Sequence, residues 1–395
     1  MLNNIRESIR FRVYLLGVYL IVAPLDISLG HALGNALNLF MLFIIAVHIS
    51  SLVFYNEAIK YDKIAVFMMI YLFYMTLSMV YGPKEAWKSS IFPFIAAITI
   101  LPYYQQLLNN AEKKYISRCI RFFSIILVFI VVYDEFFRTQ EVYDSRLYVY
   151  LGEYADPNYF SAGIIFIILF NLSSYLHSKK IIDISLCVVD IIILFLMGSR
   201  GGLMAILVAA YLLILLNNKN VVKTGIIVLV VALIAYAIAI RVLPEYMAER
   251  LKLSNVFGST GSGRTIIWNN FAEIYKNGNV LTYLFGFGRG SCKYLYYEYT
   301  NGTYYLPHNM YIKTLIEGGI IGCFLLLNIM ALCFKKAIKE HNFLACSILV
   351  AFLISGSFLD MDDTRTMWII FLFLYFKFFE ERGFSFVAEN NKSSS

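Results

Sequence analysis

Three short stretches combine residue types suited to binding a phosphorylated group and moving a proton. Arg200 lies in the turn MGSRGG, and Arg264 follows the glycine- and serine-rich stretch GSTGSG. A guanidinium group offers planar paired donors to a phosphate oxyanion, and a helix that starts after such a turn presents free backbone N–H groups to the same charge. His308, in YYLPHN, titrates near neutral pH and is a candidate general base.

Each of these residues also has a structural explanation. Arg200 could be a helix-end arginine that extends its charge to a membrane surface, and His308 could be a hydrogen-bonded loop residue. A Gly-Ser-Gly-Arg turn is by itself a weak signal, because most such turns bind nothing. No Walker lysine pattern accompanies it, so the sequence does not indicate a nucleotide site.

The elements that must position these residues are apolar helices. The chain has 395 residues, of which 60% are hydrophobic and 15% charged, with a mean hydropathy of +0.69. The apolar residues fall in blocks of about twenty, the length that crosses ~30 Å of hydrocarbon. We therefore predict an all-α, polytopic integral membrane protein with about 12 transmembrane helices. The predicted spans are 12–30, 32–54, 62–81, 89–107, 117–137, 157–176, 181–198, 201–217, 221–240, 309–334, 343–359 and 366–380.

Lysine and arginine residues concentrate in alternate short loops, which predicts that both termini lie in the cytoplasm. The net charge of +7 then follows from membrane topology and indicates no nucleic-acid partner. The first span has no small-residue cleavage site after it, so we expect it to be retained. The six cysteines show no metal-ligand spacing, and we predict neither a metal site nor a cofactor.

We interpret residues 1–395 as a single membrane domain that contains one large external loop, residues 241–308. Within that loop Ile267, Phe271 and Ile274 share one face of a predicted amphipathic helix lying along the membrane surface. Residues 294–305 are rich in tyrosine. Such rings stack on sugar rings, but they are also typical of the aromatic belt at any membrane surface.

The stretch YYLPHNMYIKTLIEGGIIG (304–322) begins a late span. Asn309 is a candidate helix cap, and Gly318 and Gly322 are spaced to let another helix approach closely. Lys313 and Glu317, four residues apart, could neutralise each other. The later stretch SFLDMDDTRTMW fits a solvated turn somewhat better than a set of catalytic carboxylates.

Several of these motifs resemble the O-antigen polymerase and ligase superfamily. They are DPNYF before a span, SRGG at a span junction, GSGRTIIW in the large loop and HNMYIKTLIEGGIIG entering a late span. The resemblance covers roughly residues 140–330. It implies a bacterial inner-membrane glycosyltransferase of GT-C type that works on the periplasmic side without a metal. The implied donor is an undecaprenyl-diphosphate-linked oligosaccharide, and a chain-length regulator protein is a possible partner.

Position by position, Arg200 and Arg264 match the arginines that bind the lipid diphosphate in this family. His308 matches the histidine that helps activate the acceptor hydroxyl. These three residues are our candidate catalytic residues. The candidate substrate-binding residues are Arg146, Asp156, Asn158, Arg289, Asn309, Glu317 and Arg365.

Three functions remain open at this point. A polymerase would move a growing glycan onto the next lipid-linked repeat unit, and a ligase would move it onto lipid A–core. We favour the polymerase because segments 138–156 and 241–308 are both substantial enough to hold a glycan. A flippase or transporter is an alternative from another class, but the halves of the chain show no convincing internal repeat.

Overall fold

The computed structural model describes the chain in several continuous ranges. Every regular element within them is an α-helix or a 3₁₀-helix, and these ranges contain no β-strand. The all-α prediction is therefore confirmed for the described part of the chain. The described residues are 9–28, 31–55, 62–86, 95–105, 108–137, 147, 149, 156–218, 221–242, 245, 248 and 263–379.

We number the helices with described bounds in chain order. A further helical stretch covers 95–100 and leads into the 3₁₀-helix Leu101–Gln105, and another 3₁₀-helix covers Met361–Asp363. The numbered helices are α1 (Phe11–Val22), α2 (His31–Tyr55), α3 (Lys63–Ser78), α4 (Asn110–Phe137), α5 (Pro157–Ser178), α6 (Ile181–Leu196), α7 (Arg200–Leu216), α8 (Val221–Val242), α9 (Arg264–Lys276), α10 (Val280–Phe285), α11 (Cys292–Thr300), α12 (Met310–Lys339), α13 (Phe343–Gly356) and α14 (Arg365–Tyr375).

A helix occupies the described part of each predicted span. Within the described ranges, four helices contain a stretch long and apolar enough to cross a membrane: Gly34–Ser51, Asn110–Tyr133, Pro157–Ser178 and Met310–Lys339. Others, such as α13, are apolar but shorter. The number of spans therefore stays a prediction.

Helix α5 lies at the centre of the helix packing, because it is apolar on all sides. From Phe160 to Ser174 every side chain is buried, and the helix packs against α6, α7 and α13. Its start is well defined: Pro157 is the first helical residue, and the Asp156 carboxylate accepts a hydrogen bond from the Asn158 N–H at 2.8 Å. This helix start is one of the predicted site segments.

A buried polar cluster explains the aspartate within the predicted span 181–198. Asp190 Oδ2 on α6 accepts hydrogen bonds from Ser124 Oγ on α4 at 2.8 Å and from Asn171 Nδ2 on α5 at 3.0 Å. Polar side chains on neighbouring helices thus form hydrogen bonds with one another in the interior. The cluster joins α4, α5 and α6 at one level of the bundle.

Helix α12 is broken at Gly319, whose φ of 63° and ψ of −164° are not helical. The segment FGFGRG, residues 285–290, enters at this break, and we call it the inserted loop. The N–H groups of Phe287 and Gly288 donate to the carbonyl oxygens of Ile316 and Glu317 at 2.8 and 3.1 Å. The break therefore exposes carbonyl groups that the inserted loop satisfies.

The predicted close approach at Gly318 and Gly322 is confirmed. Both positions face α3, where a Cβ on Gly318 would meet Met75 and a Cβ on Gly322 would meet the Tyr74 ring. The Tyr74 hydroxyl donates to the Gly318 carbonyl oxygen at 2.6 Å. The absence of side chains at Gly318 and Gly322 therefore lets α12 pack closely against α3, next to the inserted loop.

Gly286→Ala is expected to destabilise the protein strongly. Gly286 has φ 79°, and an added Cβ would overlap the Glu317 backbone carbonyl, so strain and overlap add. The matched control is Gly302→Ala, where φ is 133° but nothing lies within 4 Å of the added Cβ. We expect Gly286→Ala to cost about 3 kcal/mol more unfolding free energy than the control, measured by thermal unfolding in detergent. Equal unfolding midpoints for the two variants would contradict the insertion.

Candidate active site

His308 lies in the loop between α11 and α12, with a backbone conformation that few side chains adopt. Its φ is 47°, in the left-handed region, which is costly for a residue other than glycine. Its N–H donates to Asp360 Oδ2 at 3.2 Å, and its ring Nδ1 lies 3.9 Å from the same oxygen. The side chain is 29% exposed. Asp360 thus holds the backbone of His308 and lies near one side of the imidazole, and part of the side chain stays accessible to a ligand.

Asp360 is the carboxylate that fixes this loop. It is fully buried, and besides His308 it accepts a hydrogen bond from the Asn309 N–H at 3.1 Å. The Tyr159 hydroxyl on α5 donates to Asp360 Oδ2 at 3.3 Å and accepts from the Asp360 N–H at 3.2 Å. A carboxylate held by several donors is a stable anchor for the loop that carries His308, residues 301–309, which we call the histidine loop.

The preference for a solvated turn in SFLDMDDTRTMW was wrong. Asp360, Asp362 and Arg365 are 0%, 2% and 7% exposed. Their burial has a physical cause, because each polar group meets a partner supplied by a distant segment of the chain. This polar stretch therefore lies in the interior, where its side chains bond to Arg289, Asn309 and Asn38.

Asn309 caps α12 as predicted. Its side-chain oxygen accepts hydrogen bonds from the N–H groups of Tyr311 and Ile312 at 3.0 and 3.1 Å. Its Nδ2 donates to the Ser357 carbonyl oxygen at 3.1 Å. Both ends of the amide are thus engaged in holding the start of α12 against the end of α13.

Arg264 is the first residue of α9, and Gly263 precedes it with φ 66°. The helix begins where the glycine-rich stretch predicts, although Gly258 and Gly261 lie outside the described residues. The guanidinium carbon lies 5.9 Å from the centre of the Phe358 ring. That ring also faces Gly201, since a Cβ built there would lie 3.2 Å from it. Phe358 therefore joins the start of α7 to the start of α9.

Arg200 and Arg264 are close enough to repel each other. Burial and the positive charge of Arg200 lower the pKa of Arg264, while Asp156, Tyr159 and Asp360 act in the opposite direction. Arg200 follows Ser199, whose hydroxyl accepts a hydrogen bond from the Gly202 N–H at 3.2 Å and caps α7. Two guanidinium groups near a helix start form a favourable environment for an anion.

The electrostatic surroundings keep His308 in its basic form. Burial, followed by the positive charge of Arg264, lowers the pKa of His308 below the ordinary 6.5, and Asp156 opposes them. The neutral imidazole is therefore the main form at pH 7, and it has a free ring nitrogen to accept a proton.

Asp156 and Asn158 lie at the start of α5, beside this group. The Asp156 carboxylate accepts from both the N–H and the Nδ2 of Asn158, at 2.8 and 2.9 Å. Asp156 acts electrostatically on Arg264 and His308, so it belongs to the same cluster. The structure thus brings together Asp156, Arg200, Arg264 and His308 from four separate segments.

Other predicted substrate-binding residues lie in the interior. The Arg289 guanidinium pairs with Asp362 and lies 3.7 Å from Glu317, and Lys313 lies 3.5 Å from Asp362. All four side chains are at most 3% exposed. This ion cluster ties the inserted loop to α12 and to the turn that carries Asp360.

Arg365 is another predicted substrate-binding residue in the interior. It donates to Asn38 on α2 at 2.5 Å and is buried at the start of α14. The last predicted substrate-binding residue, Arg146, lies outside the described residues.

The predicted amphipathic helix exists, but protein covers its apolar face. Ile267, Phe271 and Ile274 on α9 are buried and pack with Cys292, Tyr296 and Ile316. The expectation that this face lies on the membrane surface was wrong, because α11 and α12 supply the apolar partners instead of lipid.

Sequence reasoning missed three residues of the cluster: Tyr159, Phe358 and Asp360. Tyr159 lies within the motif DPNYF, which the resemblance singled out, and the other two precede the last helix. No local pattern pairs α5 with residues some 200 positions later. Only the fold shows that they meet.

Comparison with known proteins adds the decisive observation. A family model described as O-antigen ligase (Wzy_C) matches residues 185–327. The resemblance to the O-antigen polymerase and ligase superfamily is confirmed. The match to this superfamily includes Arg200, Arg264 and His308, and it indicates an enzyme of glycosyltransferase type in a membrane protein. No curated protein matches the chain.

Proposed function

We propose that the chain polymerises a surface polysaccharide at the periplasmic face of the bacterial inner membrane. It transfers a glycan from undecaprenyl diphosphate onto a lipid-linked repeat unit. The observation that carries this proposal is the joint placement of two mutually repelling guanidinium groups beside a basic imidazole. An anionic leaving group and an acceptor hydroxyl are the partners that such a pair fits.

Arg264 and Arg200 hold the diphosphate of the donor. As the bond from the anomeric carbon to the phosphate oxygen breaks, its electron pair stays on the phosphate, where the new charge is stabilised by the guanidinium groups. Fixed cations placed in advance need no reorganisation during the reaction, so no metal ion is required in this mechanism.

His308 accepts the proton of the acceptor hydroxyl as that oxygen bonds to the anomeric carbon. Asp360 keeps the imidazole in place through the backbone N–H of His308 and its own proximity to Nδ1. Attack from the face opposite the phosphate inverts the anomeric configuration. The GT-C architecture and the periplasmic orientation are part of this proposal, which the superfamily resemblance supports.

Ligase activity is the second candidate, because the matching family model is described as O-antigen ligase. Both functions use the same donor and differ in the acceptor. A lipid-linked-sugar flippase is the third candidate. The break in α12 lies beside buried charges, and broken helices of this kind are typical of transporters.

Two assays test the proposal. Purified protein in detergent, supplied with lipid-linked repeat units, is expected to lengthen them, since no transport is needed there. In a deletion strain, electrophoresis of the surface polysaccharide is expected to show core that carries a single repeat unit. Core with no repeat unit would indicate a ligase. If the purified protein transfers glycan to neither acceptor, the proposal that the chain is a glycosyltransferase is contradicted.

A further inference from the structure

The segment from Tyr297 to Tyr305 exposes an unusual set of side chains. Apart from Thr300, every residue in it is exposed, and all nine are Tyr, Glu, Thr, Asn or Gly. None is aliphatic. This surface therefore offers aromatic rings and hydrogen-bonding groups together, as binding of a sugar requires.

Two rings in this segment and that of Tyr294, three residues before it, form a defined arrangement. The rings of Tyr297 and Tyr304 stack with centres 4.2 Å apart and planes at 18°, and Tyr294 meets Tyr304 edge-on at 6.2 Å. We call Tyr294, Tyr297 and Tyr304 the tyrosine surface. Tyrosine loses little conformational entropy when it is fixed, so a preformed group of rings favours binding.

The tyrosine surface rests on a rigid base. Beneath it Tyr296 is buried, its hydroxyl accepts from Asn270 Nδ2 at 3.0 Å, and its ring packs against Phe271 at 5.2 Å. The Trp268 indole N–H donates to the Pro307 carbonyl oxygen at 2.8 Å. These contacts tie α9, α11 and the histidine loop into one body.

Helix α10, in the same part of the chain, exposes side chains of a different type. Helix α10 exposes Val280, Leu281 and Leu284, with Val280 69% exposed. Aliphatic side chains of this kind suit hydrocarbon, whereas the exposed residues of 297–305 suit water and sugar. The two surfaces are therefore chemically distinct.

The tyrosine surface is also close to the reacting centre. Tyr304 and His308 are four positions apart in the chain, so the distance between their Cα atoms is at most about 14 Å. The arginines that face the donor lie on α7 and α9 instead. The position beside His308 is the one that an acceptor glycan would occupy.

We propose that the tyrosine surface binds the acceptor glycan, with the rings of Tyr297 and Tyr304 contacting sugars beyond the one whose hydroxyl reacts. The ligand is an oligosaccharide with exposed C–H faces. This inference rests on the proposed glycosyl transfer and names the acceptor subsite for it.

Transfer rates of purified full-length protein, measured against acceptor and donor concentration, test the inference. Tyr297→Ala and Tyr304→Ala are expected to raise the half-saturating acceptor concentration about tenfold, with donor saturation and maximal rate within about twofold of wild type. Tyr304→Phe keeps the ring and is expected to raise the half-saturating acceptor concentration less than Tyr304→Ala does. Tyr299→Ala is the matched control, because this exposed tyrosine lies about 200° around α11 from Tyr297.

Unchanged acceptor saturation in both alanine variants would overturn the inference and assign the rings to a membrane belt. A change in donor saturation alone would overturn it as well. Direct binding separates this outcome from failure of the proposed function, with the soluble oligosaccharide released by mild acid from the lipid-linked repeat unit as the probe. If wild type binds this probe through Tyr297 and Tyr304 but transfers no glycan, the subsite stands and the proposed reaction fails.

Discussion

Arg264→Ala is expected to lower the rate of glycan transfer about 10²–10³-fold, the typical loss when one preorganised donor to a developing charge is removed. Arg264 begins α9 and shares the Phe358 ring with the start of α7, so its guanidinium lies where the starts of α7 and α9 meet. The measurement is the initial rate of lipid-linked glycan extension by purified protein. Wild-type rates in this variant would end the proposed role in diphosphate binding.

Arg264→Lys distinguishes charge from geometry. Lysine keeps one positive charge but loses the planar paired donors, so we expect a rate much closer to that of the alanine variant than to wild type. Arg241→Ala is the matched control, because Arg241 is an exposed arginine at the end of α8. Its rate is expected to equal that of wild type.

His308→Asn is expected to reduce turnover about 10²–10⁴-fold while donor binding persists, since the general base is lost but the arginines remain. Asparagine is the preferred replacement because it tolerates the left-handed backbone of His308, which alanine does not. Single-turnover rates and binding of the lipid-linked donor are the two measurements. His341→Asn, at an exposed histidine that also has a positive φ, serves as the matched control.

The pH dependence of transfer gives an independent check on this base. Because the pKa of His308 is lowered, the rate is expected to rise with pH through a midpoint below 6.5 and then to level off. Asp156 raises that pKa, so Asp156→Asn is expected to move the midpoint to lower pH while asparagine still caps α5. A midpoint that does not move, or moves upward, would contradict the assignment of the base.

The sequence predicted the helices and several local features well. Apolar blocks indicated the helices, Asn309 indicated a cap, and the spacing of Gly318 and Gly322 indicated a close helix contact. These features depend on residues near one another in the chain. Periodicity, caps and glycine spacing therefore report them directly.

The parts that could not be predicted depend on long-range pairing. Asp360 is polar within a polar stretch, and only Tyr159 and the histidine loop show why it is buried. The apolar face of α9 has the pattern of a membrane-surface helix, and only the presence of α11 shows that protein covers it. Sequence patterns report that a face is apolar, but not what covers it.

The inserted loop limits which segments of this chain can be exchanged in a chimera. Its N–H groups bond to carbonyl oxygens of α12, and Gly288 lies against the backbone of Gly82 just beyond α3. A chimera that exchanged residues 263–308 alone would leave backbone groups unsatisfied, at several kcal/mol each in a nonpolar setting. Residues 263–308 are therefore structurally coupled to the end of α3 and to the first half of α12, and a domain swap must carry all three.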